Sequence, residues 1–167
     1  MSNNLPVRCL MEGMKENWAE AATPETSIIF GIIRFYELIR QRTDAALGAF
    51  DLTPAAFEVL VTLRSQPEPR QMTPTELYRS VLLSSGGTTK VLIHLEKRGL
   101  TERVPNPNDG RSKLVRLTPA GAQLAQTAMA AVMVEDKKHF SAYATPAEVS
   151  GLKDAVLEMI GKVESGT

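Results

Sequence analysis

Apolar residues recur every three or four positions through most of the chain, which is the spacing of one face of an α-helix. Five threonine–proline pairs precede such stretches, at positions 23–24, 53–54, 73–74, 118–119 and 145–146. A threonine hydroxyl caps a helix N-terminus, and proline fits the first helical position because an N–H there would have no partner. The pairs predict five helix starts, and Glu76 and Glu148 complete reciprocal capping boxes at two of them.

Two further helices are predicted from other signals. The N-terminal segment places Val7, Leu10, Met11, Met14 and Trp18 on one face. Between the third and fourth threonine–proline pairs, Ser84 or Ser85 can cap a helix that Gly99 ends. After the N-terminal helix, the predicted helices cover about 24–50, 54–63, 74–81, 84–98, 119–140 and 146–163. The third and fourth of these meet through the short segment LLSSG, as the two helices of a helix-turn-helix do.

The period of the pattern changes after Gly99. The segments LTERV and SKLVRLT alternate as strands do, and the segment PNPNDGRS between them is too polar to pack in a core. These segments predict a β-hairpin directly after the helix-turn-helix. The predicted fold class is therefore mainly α with a small antiparallel β-hairpin, the composition of a winged helix-turn-helix.

The terminal helices carry more apolar surface than one small helix-turn-helix core can cover. A partner subunit is the natural cover, so we expect a dimer joined through the N- and C-terminal helices. The chain is then a single domain, 1–167, in which 1–50 and 119–167 are dimerisation helices and 52–118 form the winged lobe. A length of 167 residues with 43% hydrophobic and 23% charged residues agrees with one globular domain.

Composition excludes several kinds of site. Cys9 is the only cysteine and there are two histidines, too few for a disulfide framework or a structural zinc cage. The opening segment lacks the apolar run of a secretory signal, and no stretch of about 18 apolar residues suits a membrane span. We expect a cytoplasmic protein with no membrane partner, metal or cofactor.

Charge is concentrated in the middle of a chain that is neutral as a whole, with 19 basic and 19 acidic residues. Residues 70–116 hold nine basic and four acidic residues, whereas the remainder holds ten and fifteen. A positive helix-turn-helix with its hairpin on an acidic body is the electrostatic footprint of a DNA-binding protein. Double-stranded DNA is therefore the expected partner.

The residues expected to contact DNA lie on the second helix of the helix-turn-helix and on the hairpin. Small residues at that helix's start let its backbone approach phosphate, and its outer face offers polar and basic groups to the major groove. The loop 106–112 can place Arg111 in the neighbouring minor groove. The candidates are Ser84, Ser85, Gly87, Thr89, Lys90, His94, Asp109, Arg111 and Lys113. Ile93, on the same face, could touch a thymine methyl group or pack locally, and His94 could instead be a solvated surface histidine.

No motif of a catalytic site is present. The sequence has no GxxxxGK[ST], HExxH or GxSxG segment, and no GxGxxG after a strand. An enzyme is therefore not expected. The remaining alternatives to a DNA-binding regulator are a winged-helix module that binds protein and a regulator that senses oxidants through Cys9.

Residues 52–121 resemble the MarR family of bacterial transcription regulators. The resemblance rests on LTPAAFEVLVTL, on MTPTELYRSVLLSSGGTTKVLIHLEKRGL, and on NPNDGRSKLVRLTPAG, where Asp109 and Arg111 precede the Leu117–Gly121 motif. It implies a homodimeric winged-helix regulator, most often a repressor, that binds a pseudo-palindromic operator. In such a protein Asp109 would steady the wing and Arg111 would enter the minor groove.

The same resemblance suggests a small effector. Many members of the family respond to phenolic or aromatic acids bound between the dimerisation helices and the DNA-binding lobe. Arg34, Tyr36 and Arg40 suit such an anion, although boundary packing of the tyrosine and solvation of the arginines would explain them equally. An N-terminal helix with Trp18 is similar to the urate-responsive branch, which has an aspartate where this chain has Glu58.

Overall fold

The computed structural model describes residues 5–81 and 88–166 and has the predicted fold class. Seven helices and three short strands are present in those two ranges. They are α1 (Val7–Asn17), α2 (Pro24–Gly48), α3 (Pro54–Arg64), β1 (Gln71–Met72), α4 (Pro74–Ser80), α5 (Thr88–Lys97), β2 (Thr101–Pro105), β3 (Lys113–Leu117), α6 (Pro119–Tyr143) and α7 (Pro146–Ser165). A 3-10 turn at Ala19–Ala21 separates α1 from α2. Contacts divide the chain into two compact units between Asp44 and Ala45.

The five threonine–proline helix starts are confirmed. In each case the threonine hydroxyl accepts a hydrogen bond from the backbone N–H three residues later, at 3.0–3.3 Å. The two glutamates close their capping boxes, because Glu76 accepts from the Thr73 N–H and Glu148 from the Thr145 N–H, both at 2.8 Å. The local sequence thus specifies where these helices begin.

The core of the second unit lies where α3, α4, α5, β3 and α6 meet. Its centre is built from leucines that are fully buried, with Val115 of β3 and small alanines of α6 filling the remaining space. The fully buried leucines are Leu47, Leu60, Leu63, Leu77 and Leu95. This packing holds α5 and the hairpin together in one lobe.

The sheet has three antiparallel strands in the order β1-β3-β2, one more than the predicted hairpin. In the hairpin Arg103 pairs with Val115, and in the added strand Met72 pairs with Val115 from the other side. The strand β1 is only two residues long and follows a segment rich in proline, so its sequence has no alternation to reveal it. The Arg70 carbonyl extends this edge by accepting from the Leu117 N–H at 3.0 Å.

A close junction joins the end of α5, the sheet and the start of α6. The Thr118 hydroxyl donates to the Gly99 and Leu100 carbonyls, at 2.8 and 3.1 Å, while it caps α6. A Cβ atom on Gly121 would lie 2.1 Å from the Leu100 carbonyl oxygen, so only glycine allows this approach. The Leu117–Gly121 motif is therefore a packing motif.

The remaining helices leave their apolar faces uncovered. In the first unit, Ile28, Ile29, Ile32 and Ile33 of α2 are exposed, and α1 has no buried residue. In the second unit, no residue of α7 is buried, and its stripe of Leu152, Val156, Met159, Ile160 and Val163 is exposed. Among the described residues, no helix combines the length and apolar character that crossing a membrane requires.

Candidate nucleic-acid interface

The helix α5 presents one face to the core and the opposite face to solvent. Leu92 and Leu95 point inward and are buried. The predicted contact residues Thr89, Lys90 and His94 are exposed, as are Ile93 and Lys97. The outer face of α5, as we call these five residues, is therefore available to a groove of DNA. The predicted contacts Ser84, Ser85 and Gly87 lie outside the described residues.

The C-terminal end of α5 is anchored by Arg98. Its guanidinium donates to the Asp51 carbonyl at 2.5 Å and to the Phe50 carbonyl at 3.2 Å, in the turn between α2 and α3. Asp51 has a left-handed φ of 51°, and its carboxylate lies 3.9 Å from the same guanidinium. Sequence analysis counted Arg98 among the nine basic residues of 70–116, and no local pattern signals a contact across 47 positions.

The wing is the loop between β2 and β3, and side-chain hydrogen bonds shape it. Asp109 Oδ1 accepts from the Arg111 backbone N–H at 3.0 Å, and Asn106 Nδ2 donates to Ser112 Oγ at 2.8 Å. These bonds fix the backbone beside Arg111, while the Arg111 side chain itself stays exposed. Lys113 is exposed at the start of β3, on the same hairpin.

Ion pairs divide the nine basic residues of 70–116 into two groups. Four arginines have carboxylate partners: Arg70 with Glu68 (2.8 Å), Arg98 with Asp51 (3.9 Å), Arg103 with Glu96 (3.8 Å) and Arg116 with Glu102 (2.9 Å). The other five are exposed and form no ion pair within the described residues, namely Arg79, Lys90, Lys97, Arg111 and Lys113. We call these five the unpaired cations. They lie on α4, on the outer face of α5 and on the hairpin.

The tentative effector residues do not all belong to one unit. Trp18, Arg34, Tyr36 and Arg40 lie in the first unit, and Glu58 lies on α3 in the second. Trp18 and Tyr36 are exposed, whereas Arg34 pairs with Glu37 at 3.5 Å and donates to the Leu5 carbonyl at 3.3 Å. Arg34 therefore already has partners within its own unit.

A shallow apolar groove of about 300 Å³ lies between α3 and α6, and sequence analysis did not find it. Its lining combines small and flexible apolar side chains with one guanidinium and one amide: Val61, Arg64, Ala125, Gln126, Met129, Ala130 and Met133. Glu58 lies one turn before Val61 on the same helix. Only a signal that paired the two helices could have located the groove, because its two halves are distant in sequence, at residues 61–64 and 125–133.

Two observations concern the other candidate chemistries, oxidant sensing and metal binding. Cys9 is an exposed thiol on α1. Across residues 5–81 and 88–166, no three His, Cys, Asp or Glu side chains come together in a way that could hold a metal ion.

Comparison with known proteins agrees with this geometry. The MarR family model matches residues 52–113, which run from the start of α3 to the end of the wing. The multiple antibiotic resistance protein MarR of Escherichia coli K12 is 35% identical over 97 residues, covering 56% of this chain and 65% of that protein. The chain thus matches somewhat less than two thirds of the length of this curated relative.

Solved structures extend the likeness beyond the lobe. The apo form of wild-type MarR from E. coli is 30% identical, with a TM-score of 0.64, over 75% of this chain and 94% of that one. A MarR family regulator of Streptomyces coelicolor in complex with DNA has a TM-score of 0.70 over 84% of this chain, and at 20% identity it supports the fold alone. Because it has a winged lobe and resembles E. coli MarR over nearly that protein's whole length, the chain belongs to the MarR family, whose members are transcriptional regulators and not enzymes.

Proposed function

We propose that this chain is a transcriptional regulator that binds a pseudo-palindromic DNA operator as a homodimer and acts as a repressor. The observation that carries the proposal is the placement of the unpaired cations. They lie on the outer face of α5, on the hairpin and on α4, while the other four basic residues of 70–116 are engaged with carboxylates. Lysines and arginines that neutralise phosphates release counterions from DNA, and this release drives binding.

The two parts of the lobe have different proposed tasks. The outer face of α5 enters the major groove, where Thr89, Lys90 and His94 reach base edges or phosphates. The wing, held by Asp109, directs Arg111 into the adjacent minor groove, and Lys113 contacts a phosphate nearby. Ser84, Ser85 and Gly87 complete the proposed contacts at the start of the recognition helix.

Dimerisation explains why so much apolar surface is exposed on a single chain. The stripes on α2 and α7 each exceed the scattered apolar exposure that a surface tolerates. Burying them against a second copy gives a dimer with two recognition helices, and the half-sites of a palindrome lie about one helical turn of DNA apart. A repressor then acts by occupying the operator.

Binding of a duplex selected from a random pool tests the proposal. We expect the logarithm of the affinity to fall linearly with the logarithm of salt concentration. Lys90→Ala and Arg111→Ala should each reduce the slope by about 1.8, because each lost phosphate contact accounts for about 0.9 and a homodimer loses two such contacts. Arg116→Ala is the matched control, because Arg116 is paired with Glu102 and should leave the slope unchanged. Fluorescence anisotropy at several salt concentrations measures all four proteins.

Two outcomes would contradict this proposal. If no duplex is selected, the chain is better explained as a winged-helix module that binds protein. If Lys90→Ala and Arg111→Ala both bind like the wild type, the recognition helix and the wing are not the contact surfaces.

The groove between α3 and α6 supports a second function, the binding of an aromatic or phenolic acid. Its apolar lining would contact a ring, and Arg64 would pair with a carboxylate. BpsR of Bordetella bronchiseptica, a solved neighbour 23% identical to this chain, has its DNA binding regulated by 6-hydroxynicotinic acid. In this chain an effector bound at the groove would change the affinity for DNA, and DNA would change the effector's affinity by the same factor.

Titration calorimetry with 6-hydroxynicotinic acid and with urate, with and without the selected duplex, tests the second function. We expect one of these acids to bind more weakly when DNA is present, and Arg64→Ala to lose that binding. The same test on Arg40→Ala and Tyr36→Phe examines the effector residues suggested on α2. Trp18→Ala examines the residue suggested by the likeness to the urate-responsive branch. Equal affinity with and without DNA would remove effector control from the account.

A further inference from the structure

Exposed large hydrophobic side chains are rare on the winged lobe. Among the described residues of 52–118 only Tyr78 and Ile93 are in this class, and both lie on the helix-turn-helix. Ile93 is 46% exposed and belongs to the outer face of α5. The other members of that face are polar or basic. An isolated isoleucine among them requires an explanation that the phosphate contacts of the proposed function do not supply.

The direction of Ile93 is set by contacts on the opposite side of the helix. Leu92 and Leu95 bury the inner face, and the two hydrogen bonds of Arg98 to the turn at 50–51 hold the helix end. At 3.6 residues per turn, Ile93 points about 130° away from the mean direction of the two leucines. The helix is thus held so that Ile93 faces outward, away from the core of its own lobe.

The neighbours of Ile93 on the helix surface define its setting. It lies between Thr89 on one side and Lys90 and Lys97 on the other, at spacings of three or four residues. Both lysines belong to the unpaired cations. The next acidic residue, Glu96, is engaged with Arg103 of β2 at 3.8 Å. An apolar group therefore stands beside two cations, one a turn before it and one a turn after it, that we expect to contact phosphates along the groove.

The geometry points to Ile93 as a specificity-determining residue that reads the 5-methyl group of a thymine in each half-site; this inference rests on the proposed function. Each base pair shows its own pattern in the major groove, and the thymine methyl is the apolar feature of that pattern. A β-branched side chain is stiff at χ1, so Ile93 loses little side-chain freedom when it makes this contact. Lysines position the helix by charge alone, whereas Ile93 distinguishes thymine from cytosine at one position.

Single replacements of thymine by deoxyuridine test the inference, because they delete only the methyl group. On the selected duplex, we expect one thymine position in each half-site to be sensitive. A single replacement at that position should weaken wild-type binding about fourfold, the equivalent of about 0.8 kcal/mol for one buried methyl. Ile93→Ala should bind the unmodified duplex more weakly and show no further loss at that position. Tyr78→Ala, the other exposed large hydrophobic, is the control and should keep the wild-type sensitivity to deoxyuridine.

The outcomes separate the inference from the proposed function. If every replacement weakens the wild type and Ile93→Ala by the same factor, or if none weakens the wild type, Ile93 does not read a methyl group although DNA binding stands. If no duplex is selected, the proposed function and this inference both fail. Circular dichroism of Ile93→Ala should match the wild type, because the substituted side chain lies on the solvent side of α5.

Discussion

The winged lobe buries most of its large apolar side chains, whereas the terminal helix α7 leaves its apolar side chains exposed. In the lobe, four leucines are fully buried, and Tyr78 and Ile93 are the large hydrophobic side chains that stay exposed among its described residues. In α7 no residue is buried, and Val163 is 76% exposed. The lobe therefore packs around a core that it shares with α6, whereas the apolar stripe of α7 is left exposed. We therefore propose DNA contact for the first region and subunit contact for the second.

The ion pairs also differ between the winged lobe and α7. In the lobe, arginines that are distant in sequence pair with carboxylates across elements, as Arg116 does with Glu102. In α7 the ion pairs are local, as between Lys162 and Glu158 one turn apart on the polar side of the helix. Exposed local pairs contribute little to stability, whereas the cross-element pairs of the lobe decide which cations remain for phosphate.

The largest expected effect comes from a charge placed on the apolar stripe of α7. Val156→Lys would bury an unpaired ammonium in the proposed subunit contact, so we expect the dimer dissociation constant to rise by about a hundredfold or more. Ser150→Lys adds the same charge to the polar side of α7 and should leave dimerisation intact. Sedimentation equilibrium measures both, and equal self-association of the two variants would show that α7 is not the contact.

The next largest effect is on the free energy of unfolding, when a glycine of either region is replaced by alanine. Gly121→Ala places a Cβ 2.1 Å from the Leu100 carbonyl oxygen, so we expect a loss of about 1–3 kcal/mol in the free energy of unfolding. Gly151→Ala meets nothing within 4 Å on α7 and should gain up to about 1 kcal/mol from helix propensity. Urea denaturation at matched protein concentration measures both. A neutral Gly121→Ala would contradict the close junction between β2 and α6.

The smallest effect concerns the two capping boxes, one in each region. Backbone and hydroxyl hydrogen bonds from Thr73 and Thr145 lower the pKa of Glu76 and Glu148 below the ordinary 4.5. A lowered folded-state pKa means that the stabilisation is complete above about pH 4.5 and is lost as pH falls through the folded-state value. Carboxyl titration by NMR should place both midpoints below 4.5, and a midpoint at or above 4.5 would show an open box.

The features of the fold that could be predicted are those specified by residues close together in sequence. A threonine, a proline and a glutamate within four positions specify a capped helix start, and Asp109 with Gly110 specifies a tight polar loop. The helix starts and the hairpin therefore follow from the sequence alone. The structural reason for Gly121 does not, because it depends on a carbonyl 21 residues earlier in the chain.

The features that could not be predicted depend on contacts between residues that are distant in sequence. Whether Arg98 faces phosphate or the carbonyls of the turn at 50–51 depends on the packing of α5 against that turn. The strand β1 forms because β3 offers it a partner edge, although its own two residues carry no strand pattern. The groove between α3 and α6 likewise exists only once the two helices are packed together.

The central claim is that paired terminal helices hold two lobes in phase on one duplex, and displacing one half-site tests it most directly. Inserting five base pairs between the half-sites of the selected operator turns one of them to the opposite side of the helix. We expect the wild-type affinity to fall by about a hundredfold, to the level of a single half-site. An affinity unchanged by the insertion would contradict the account, because it would mean that each lobe binds DNA independently of its partner.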